Sequence, residues 1–432
     1  MKRILVALAA LLLFAALGAS AQTGTWNGKL EVQGVQLSVV FHLDGDQPTM
    51  DSPDQAAKGI PIEVERSAAG KLIIRIPMLG ATYEGLWMGT QIVGTFKQMG
   101  VQLPLTLSPG EDRPSRPQTP RGPFPYTTEE VSFCNGDAVL AGTLVLPQGC
   151  SRTTPVLIMV TGSGLQNRDE EIFEHKPFAV IADALARAGV ATLRYDDRGF
   201  GESTGDPVLC TTEDLKNDAL AGITLLRERF DKVGVLGHSE GGTIAFMLAA
   251  EGKADYMVSL AGMVISGKEL LLWQNRTLLA EAGFDKEAVS EYCTLLEKAF
   301  DARISGGAIP SVDGAELPDA LKQNYLASVL QLQSPYMKYF LALDVRKVLG
   351  RITCPVLALN GTLDTQVECA SNLEALRSGL PAHPLSRVEA LEGLNHLFQH
   401  CTTGAVTEYR QIEESFAPEA LELIVQWMAQ LR

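Results

Sequence analysis

The sequence has few features that would place it in a membrane or on nucleic acid. Its only long apolar run is residues 4–17, and no later segment approaches the roughly 20 apolar residues that a membrane-spanning helix needs. Basic residues are outnumbered, 36 against 51 acidic ones, which gives a net charge of −15. An acidic surface repels phosphate backbones and anionic lipids. Nucleic acid binding and stable membrane insertion are therefore not expected.

Cysteine is also scarce, and the seven cysteines form no metal-binding pattern. No CxxC or Cys/His spacing typical of structural zinc occurs, so we expect no metal site. An exported protein can form disulfides, and an odd count leaves at least one cysteine unpaired in the monomer. Cys134 and Cys150 flank a predicted hairpin and are one candidate pair. Burial as small apolar side chains is the alternative.

The first 21 residues have the pattern of a secretory signal peptide. Lys2 and Arg3 precede the apolar run, and the small residues 18–21 (GASA) follow it, which predicts cleavage after Ala21. The run is too short for a membrane anchor, and no cysteine follows it that could carry a lipid. We expect a secreted or periplasmic protein whose mature chain carries −17, from 34 basic and 51 acidic residues.

Residues 22–108 predict a small all-β domain, in which glycine and aspartate separate short alternating runs as in a meander or small barrel. The predicted strands are 30–37, 39–41, 71–77, 91–96 and 101–107. Trp26, Tyr83 and Trp87 are either a ligand platform or part of the core, and the small size of the domain favours the core. Six prolines between residues 109 and 125 then predict a semi-rigid, solvated linker at a domain boundary.

Strand and helix patterns alternate after the linker, along residues 126–432. A hairpin (131–133 with 140–146) is followed by predicted strands 156–160, 191–195, 233–236, 256–260, 356–359 and 387–391, and by predicted helices 178–188, 213–229, 241–250 and 419–431. Such alternation predicts the α/β class, with a mostly parallel sheet and helices on both faces. From about 267 to 349 only helical periodicity occurs, in 270–280, 287–300 and 317–332. This insertion after a central strand predicts a helical cap over the site.

The sharpest motif is residues 237–241 (GHSEG), which match G-x-S-x-G. The motif follows a predicted strand and opens a predicted helix, the context that exposes a serine hydroxyl on a sharp turn. Glycines leave room for the strained turn, and the helix N-terminus favours a developing oxyanion. An ordinary glycine-rich turn is the alternative, but the context favours Ser239 as a catalytic nucleophile.

A nucleophilic serine needs a base and an acid. His396 follows the last predicted strand, which is where the chain order Ser, acid, His delivers the base, and His400 is its main rival. Asp364 lies in the loop after a clear strand, where a carboxylate can accept the imidazole N–H and stabilise the imidazolium. Glu368 is a weaker candidate for the acid.

An oxyanion hole needs two backbone N–H groups. Glu240 supplies one, as the residue after the nucleophile. The loop after strand 156–160 supplies the other, and we assign it to Ser163, with Gly164 as the alternative. The turn that begins at Asp197 and Arg198 is predicted to be structural, near the nucleophile.

Five stretches carry a resemblance to a known family. They are 161–164 (TGSG) with 166–169 (QNRD), 197–201 (DRGFG), 237–242 (GHSEGG), 360–361 (NG) with Asp364, and 395–399 (NHLFQ). Residues 125–432 resemble the α/β-hydrolase superfamily, and within it the secreted bacterial EstD-type carboxylesterases, which also carry an N-terminal β domain. The resemblance implies a triad of Ser239, Asp364 and His396. Thr161 departs from the pattern, because many members have histidine there.

The hypothesis that these residues favour is a secreted serine esterase that acts on small-molecule esters without metal or organic cofactor. A serine peptidase or amidase of the same fold shares the triad, so the motifs do not distinguish the two. A catalytically inactive binding protein is the third hypothesis, and the complete set of catalytic residue types argues against it.

Overall fold

The computed structural model describes residues 24–32, 35–45, 47–53, 57–67, 70–98, 100–110 and 115–431. The predicted signal peptide, residues 1–21, lies outside these ranges. The chain divides into two compact units, Met1–Arg113 and Pro114–Arg432. Among the residues described, no helix has both the length and the apolar character needed to cross a bilayer.

The first unit is built on a nine-stranded antiparallel sheet, in the order β4-β3-β2-β1-β9-β8-β7-β6-β5. Its strands are β1 (Thr25–Val32), β2 (Val35–His42), β3 (Thr49–Ser52), β4 (Ala57–Pro61), β5 (Glu63–Arg66), β6 (Lys71–Ile76), β7 (Ala81–Met88), β8 (Gln91–Gln98) and β9 (Val101–Pro109). Chain neighbours pair within each half, and β1 joins the halves by pairing with β9. Alternate residues face the core, as Leu72, Ile74 and Ile76 do in β6. The predicted all-β domain is thus confirmed.

Aromatic residues of this unit pack in its core. Trp26 and Tyr83 are buried, and Trp26 lies edge-on to the partly buried Trp87, with 6.0 Å between the ring centroids. The hydroxyl of Tyr83 donates to a backbone carbonyl, with Ile92 O at 2.9 Å and Leu105 O at 3.2 Å. A buried tyrosine with a satisfied hydroxyl is a core residue. The structure therefore favours the core interpretation over a ligand platform.

The second unit is built on an eight-stranded sheet, in the order β10-β11-β13-β12-β14-β15-β16-β17. The strands are β10 (Thr127–Asn135), β11 (Ala138–Leu146), β12 (Val156–Val160), β13 (Ala191–Tyr195), β14 (Val233–His238), β15 (Met257–Leu260), β16 (Val356–Gly361) and β17 (Arg387–Leu391). The helices are α1 (Pro177–Arg187), α2 (Thr212–Arg227), α3 (Glu240–Ala250), α4 (Gly267–Glu281), α5 (Lys286–Ser305), α6 (Asp319–Gln331), α7 (Pro335–Ala342), α8 (Cys369–Gly379) and α9 (Pro418–Ala429).

The first two pairs of this sheet, β10–β11 and β11–β13, are antiparallel, and all other pairs, from β13 to β17, are parallel. One face of the sheet packs against α2, α3 and α8, and the other face against α1 and α9. Covering both faces explains why β12, β14 and β15 are buried along their whole length and why β12 is a continuous apolar run. The predicted α/β class is confirmed, and the arrangement is that of an α/β-hydrolase.

Helices α4–α7 lie between β15 and β16, in the interval predicted for the cap, and enclose a small core of their own. Ser266 and Glu269 form a capping box at the start of α4. Sequence periodicity does not predict α7 as a separate helix. Its signal is the pair Ser334-Pro335, since Ser334 Oγ accepts the Met337 N–H and proline occupies the first turn.

Part of the predicted linker is attached to the second unit. The guanidinium of Arg116 donates to the backbone carbonyls of Phe173, Arg410 and Ile412 at 2.6 to 3.2 Å. Gln118 forms hydrogen bonds with the backbone of Phe416 in both directions. These contacts differ from the solvated linker expected for residues 109–125. Proline content alone does not reveal that a buried arginine anchors the segment.

All seven cysteines are free thiols, so the candidate pair Cys134–Cys150 does not form. Cys134 lies beside the β10–β11 turn, where it pairs with Val139. Cys150 follows the far end of β11, which ends at Leu146. Flanking a hairpin in sequence therefore puts the two residues at opposite ends of it, and at about 3.4 Å per residue the strand separates them too widely for a disulfide.

Candidate active site

Ser239 occupies a sharp turn between β14 and α3. Its backbone has φ 53° and ψ −119°, a conformation that few non-glycine residues adopt, and its N–H donates to Leu260 O at 2.8 Å. A Cβ at Gly237 would lie 2.0 Å from the carbonyl oxygen of Gly241, and one at Gly241 would lie 2.0 Å from that of Val160. The two glycines are thus required sterically for the turn that presents Ser239.

His396 and Asp364 form a buried pair on the loops after β17 and β16. His396 Nδ1 lies 2.8 Å from Asp364 Oδ2, and the two side chains are 4% and 0% exposed. The N–H groups of Gln366 and Val367 both donate to Asp364 Oδ1 at 2.8 Å, and Asn360 Nδ2 donates to Oδ2 at 3.1 Å. The carboxylate accepts only, so it holds the proton of His396 on Nδ1 and leaves Nε2 free to accept one.

The rival candidates lie elsewhere. His400 is on the surface, where its ring nitrogens face Glu414 and Glu419, and those contacts raise its pKa. Glu368 precedes α8 and accepts a hydrogen bond from Ser371 Oγ. The structure therefore brings His396 and Asp364 together and leaves both rivals out of the pair.

Ser239 and His396 line one cavity of about 370 Å³ within the second unit. Ser163 and Glu240, whose N–H groups are the predicted oxyanion donors, line it as well. Much of the remaining wall is apolar, and several of its side chains come from the cap helices α4 and α7, namely Leu270, Leu271, Met337 and Phe340. Four of the five predicted site residues thus share one cavity, and Asp364 stands behind His396.

The loop after β12 runs beside the nucleophile. A Cβ on Gly162 would lie 3.2 Å from Ser239 Cβ, so a larger residue there would press on the serine. The N–H of Gly162 donates to Glu170 Oε1 at 2.7 Å and is not available to a substrate. The next N–H along the loop is that of Ser163, which remains the predicted donor together with the N–H of Glu240 at the start of α3.

Glu170 and His238 are site residues for which the sequence predicts no role. Glu170 Oε1 lies 2.9 Å from His238 Nδ1, and His238 Nε2 lies 2.8 Å from the carbonyl oxygen of His396. The rings of His238 and His396 are 4.7 Å apart between centroids. The local signal in the sequence is that Glu170 lies in a charged run, residues 168–171, shortly after the TGSG loop. That run does not indicate that His238 is the partner of Glu170.

The cap contributes a polar contact to the cavity through Tyr336 of α7. Its hydroxyl donates to Glu240 Oε2 at 2.7 Å and lies 3.3 Å from Ser163 Oγ. Thr212 Oγ1 donates to the other carboxylate oxygen of Glu240 at 2.6 Å. Burial raises the pKa of Tyr336 and the Glu240 carboxylate raises it further, so the hydroxyl keeps its proton.

The predicted structural turn at Asp197 and Arg198 lies beneath the loop after β12. Asp197 accepts hydrogen bonds from Thr161 Oγ1 at 2.7 Å and from the Gln166 N–H at 2.8 Å. Burial raises the pKa of Asp197 to about 7, against the lowering effect of these hydrogen bonds. Thr161, which replaces the histidine of many superfamily members, thus binds a buried carboxyl group rather than lining the cavity.

Comparisons with known proteins agree with this architecture. A model of the X-Pro dipeptidyl-peptidase (S15) family matches residues 135–395, which is more than half of the chain. The esterase EstD of Thermotoga maritima is 30% identical over 260 residues, so the match covers 60% of this chain and only 58% of that protein.

Two solved structures are also similar. The Pyrococcus furiosus esterase Pf2001 is 16% identical with a TM-score of 0.45, covering 74% of this chain and 99% of that chain. Est1E from Butyrivibrio proteoclasticus is 17% identical with a TM-score of 0.42, covering 70% of this chain and 96% of that chain.

The family match begins at the end of β10 and ends one residue before His396. It therefore includes the turn that carries Ser239, the cap helices and the loop that carries Asp364. The chain belongs to the X-Pro dipeptidyl-peptidase (S15) family.

Proposed function

We propose that this chain is a secreted serine hydrolase that cleaves small-molecule carboxylic esters through an acyl-enzyme intermediate. The observation that carries the proposal is that the strained Ser239 turn and the buried His396–Asp364 pair meet at one cavity of about 370 Å³. The 30% identical relative is an esterase, which favours esters among the acyl compounds that such a site could cleave.

In the proposed reaction, Ser239 Oγ attacks the ester carbonyl while His396 Nε2 takes the serine proton. Asp364 keeps the other ring proton on Nδ1 and stabilises the imidazolium that forms. The imidazolium then gives its proton to the alcohol as it leaves, and the acyl group remains on Ser239. Water, deprotonated by the same histidine, releases the acid. His396 makes every proton transfer, so the sequence of steps calls for no metal or organic cofactor.

The N–H groups of Ser163 and Glu240 are the proposed oxyanion donors. Both residues line the cavity next to Ser239, and the positive end of the α3 dipole adds to the second donor. The neighbouring N–H of Gly162 is already bonded to Glu170, and Ser163 lines the cavity whereas the alternative, Gly164, is not among its lining residues, which favours Ser163 as the donor from that loop. The apolar side chains that α4 and α7 contribute would hold the acyl or alcohol group of the substrate.

Peptide cleavage is the second candidate, because the matching family is described as an X-Pro dipeptidyl-peptidase. An amide would be cleaved by the same steps, so the triad does not separate the two substrates. The kcat/KM values for p-nitrophenyl butyrate and for an X-Pro dipeptidyl p-nitroanilide, measured on one enzyme preparation, discriminate between them. A higher value for the anilide would overturn the ester proposal in favour of a peptidase.

Ser239→Ala tests the nucleophile. We expect the variant to fold and to lose at least about 10⁴-fold in kcat for p-nitrophenyl acetate, because the remaining groups cannot form the acyl-enzyme. Ser290→Ala, at an exposed position of α5, is the matched control and should retain full activity. A folded Ser239→Ala protein with more than a tenth of wild-type activity would refute the proposal. A wild-type chain that does not react with a fluorophosphonate probe would instead support an inactive binding protein.

Export is the last part of the proposal and depends on the sequence pattern of residues 1–21. Expression of the full chain in a Gram-negative host should yield mature protein outside the cytoplasm, with an N-terminus at Gln22 by mass spectrometry. An uncleaved chain retained in the cytoplasm would contradict it.

A further inference from the structure

Glu170 connects two loops of the site through a single oxygen atom. The residue is 3% exposed and has a positive φ of 51°. Its Oε1 accepts the Gly162 N–H at 2.7 Å and lies 2.9 Å from His238 Nδ1. Gly162 directly precedes the predicted oxyanion donor, and His238 directly precedes the nucleophile. Glu170 therefore holds these two segments together at the wall of the cavity, which Glu170 and His238 both line.

His238 extends the connection to the loop of the base. Its Nε2 lies 2.8 Å from the carbonyl oxygen of His396, and a carbonyl only accepts, so Nε2 must carry a proton. Neither ring nitrogen of His238 is free to act as a base. These contacts link Gly162 to Glu170, Glu170 to His238 and His238 to His396. They therefore connect the three loops that surround Ser239.

The hydrogen-bond pattern also indicates the charge of His238. Its Nδ1 faces an oxygen of Glu170 that already accepts an amide hydrogen. A neutral pair would require a carboxylic acid proton on that same oxygen, which would weaken the Gly162 bond. An imidazolium beside a carboxylate instead gives each of the three donors a good acceptor, and all three hydrogen bonds are charge-assisted.

We propose that Glu170 and His238 form a buried carboxylate–imidazolium pair that positions the oxyanion loop and the His396 loop around Ser239. Both are positioning residues, because they act on the reaction through Gly162 and His396 and need not touch the substrate. This role rests on the proposed hydrolase function, whereas the charge state of the pair does not.

The surroundings of the pair are consistent with this charge. Asp364 and Glu240 are the nearby acids on the triad side, and Asp197 lies beneath the loop. Apolar side chains of α1, Phe178 and Ile181, line a small pocket that Glu170 and His238 also line. Burial by itself lowers the pKa of His238, but Glu170, the His396 carbonyl and Asp364 together raise it above its usual value.

Histidine-selective ¹⁵N labelling tests the charge state directly, since the chain has six histidines. We expect both ring nitrogens of His238 to carry protons at pH 7 in the wild-type protein, with His238→Gln used to assign the signals. In Glu170→Gln the amide group faces Nδ1, so His238 should become neutral with one ring proton. A singly protonated His238 in the wild-type protein would overturn the proposed pair.

Glu170→Ala tests the positioning role. The variant leaves the Gly162 N–H and His238 without their acceptor, so we expect the rate of fluorophosphonate labelling and kcat for ester to fall about 10²–10³-fold, as for loss of an oxyanion donor. KM should stay within about threefold. Glu171→Ala, at an exposed position next to it, is the matched control.

The outcomes separate this inference from the proposed function. A wild-type protein that is not labelled refutes the hydrolase function and the positioning role with it. Normal labelling of both the wild-type and the Glu170→Ala proteins refutes the positioning role alone, as does a rise in KM with unchanged kcat. If circular dichroism shows that Glu170→Ala is unfolded, Glu170→Gln decides: it should fold, lose the second ring proton of His238 and react about tenfold more slowly.

Discussion

Asp364→Asn replaces one oxygen of a carboxylate on which four donors converge. Gln366 and Val367 donate their N–H groups to Oδ1, while His396 Nδ1 and Asn360 Nδ2 face Oδ2. Because the side chain is 0% exposed, water cannot replace a lost partner. The amide must therefore turn its NH₂ group toward one of these two sets of donors.

The two orientations differ in cost. With the NH₂ group toward Gln366 and Val367, two buried backbone N–H groups lose their acceptor, at about 1–3 kcal/mol each. With the NH₂ group toward His396, the main loss is the single bond from Asn360, about 1 kcal/mol. The second orientation is preferred, and in it the amide donates to Nδ1 of the histidine. The ring proton then moves to Nε2, and His396 cannot accept the proton of Ser239.

We therefore expect the free energy of unfolding of Asp364→Asn to lie within about 1–3 kcal/mol of the wild-type value. The kcat for p-nitrophenyl butyrate should fall about 10⁴-fold, which corresponds to an activation barrier higher by about 5.5 kcal/mol. Steady-state kinetics and chemical unfolding measure the two quantities. Asp137→Asn, in the exposed β10–β11 turn, is the matched control and should change neither. A folded Asp364→Asn enzyme within tenfold of wild-type kcat would refute the reasoning, as would a comparable loss in Glu368→Gln.

Three further predictions concern the surroundings of the site. Gly162→Ala puts a methyl group 3.2 Å from Ser239 Cβ and 3.3 Å from Glu170 Oε1. Because this displaces the nucleophile, kcat measured by steady-state kinetics should fall about 10–100-fold. An unchanged kcat would show that the loop moves freely. Burial raises the pKa of Asp197 to about 7 in the folded protein, against about 4 in the unfolded chain. Its contribution to the free energy of unfolding should therefore fall by up to about 4 kcal/mol as the pH rises from about 4 to about 7. Asp197→Asn should remove this contribution, so the difference between unfolding curves measured at pH 5 and at pH 8 should shrink. Arg116→Ala should lower the free energy of unfolding by about 2–4 kcal/mol with little effect on kcat, because three backbone carbonyls lose their donor. Arg121→Ala, at an exposed position, should change neither quantity. Equal effects of the two substitutions would contradict the anchoring role of Arg116.

The fold of the second unit was predictable because its signals are local. Buried parallel strands favour apolar runs, as in β12, and short runs rich in apolar residues also predict β13 and β17, so the predicted bounds of all three strands are those observed. Helix bounds differ by a few residues, because helix ends depend on caps as well as periodicity. Two helices escaped prediction: α7, which follows α6 after a short turn, and α8, which follows β16.

The candidate triad was also predictable, for a different reason. A serine on a strand-to-helix turn needs glycines beside it, and the acid and base follow later strands in a set order, so each position has a signature in nearby residues. The oxyanion donors are less directly encoded, since a backbone N–H belongs to every residue but proline. Their choice gains support from the Gly162–Glu170 bond, which removes one competitor.

What the sequence by itself determined is the composition of each element: which runs could be buried strands, where a serine could sit on a strained turn, and which loops end in an acid or a histidine. Tertiary structure decided which side chains meet. Glu170 and His238 are 68 residues apart, and Tyr336 reaches Glu240 across 96 residues. A hydrogen bond across such a separation depends on the packing of whole elements, whereas local patterns report only the neighbours of each residue. For that reason the candidate triad could be proposed from motifs, whereas the hydrogen bonds of Glu170, His238 and Tyr336 around it could not.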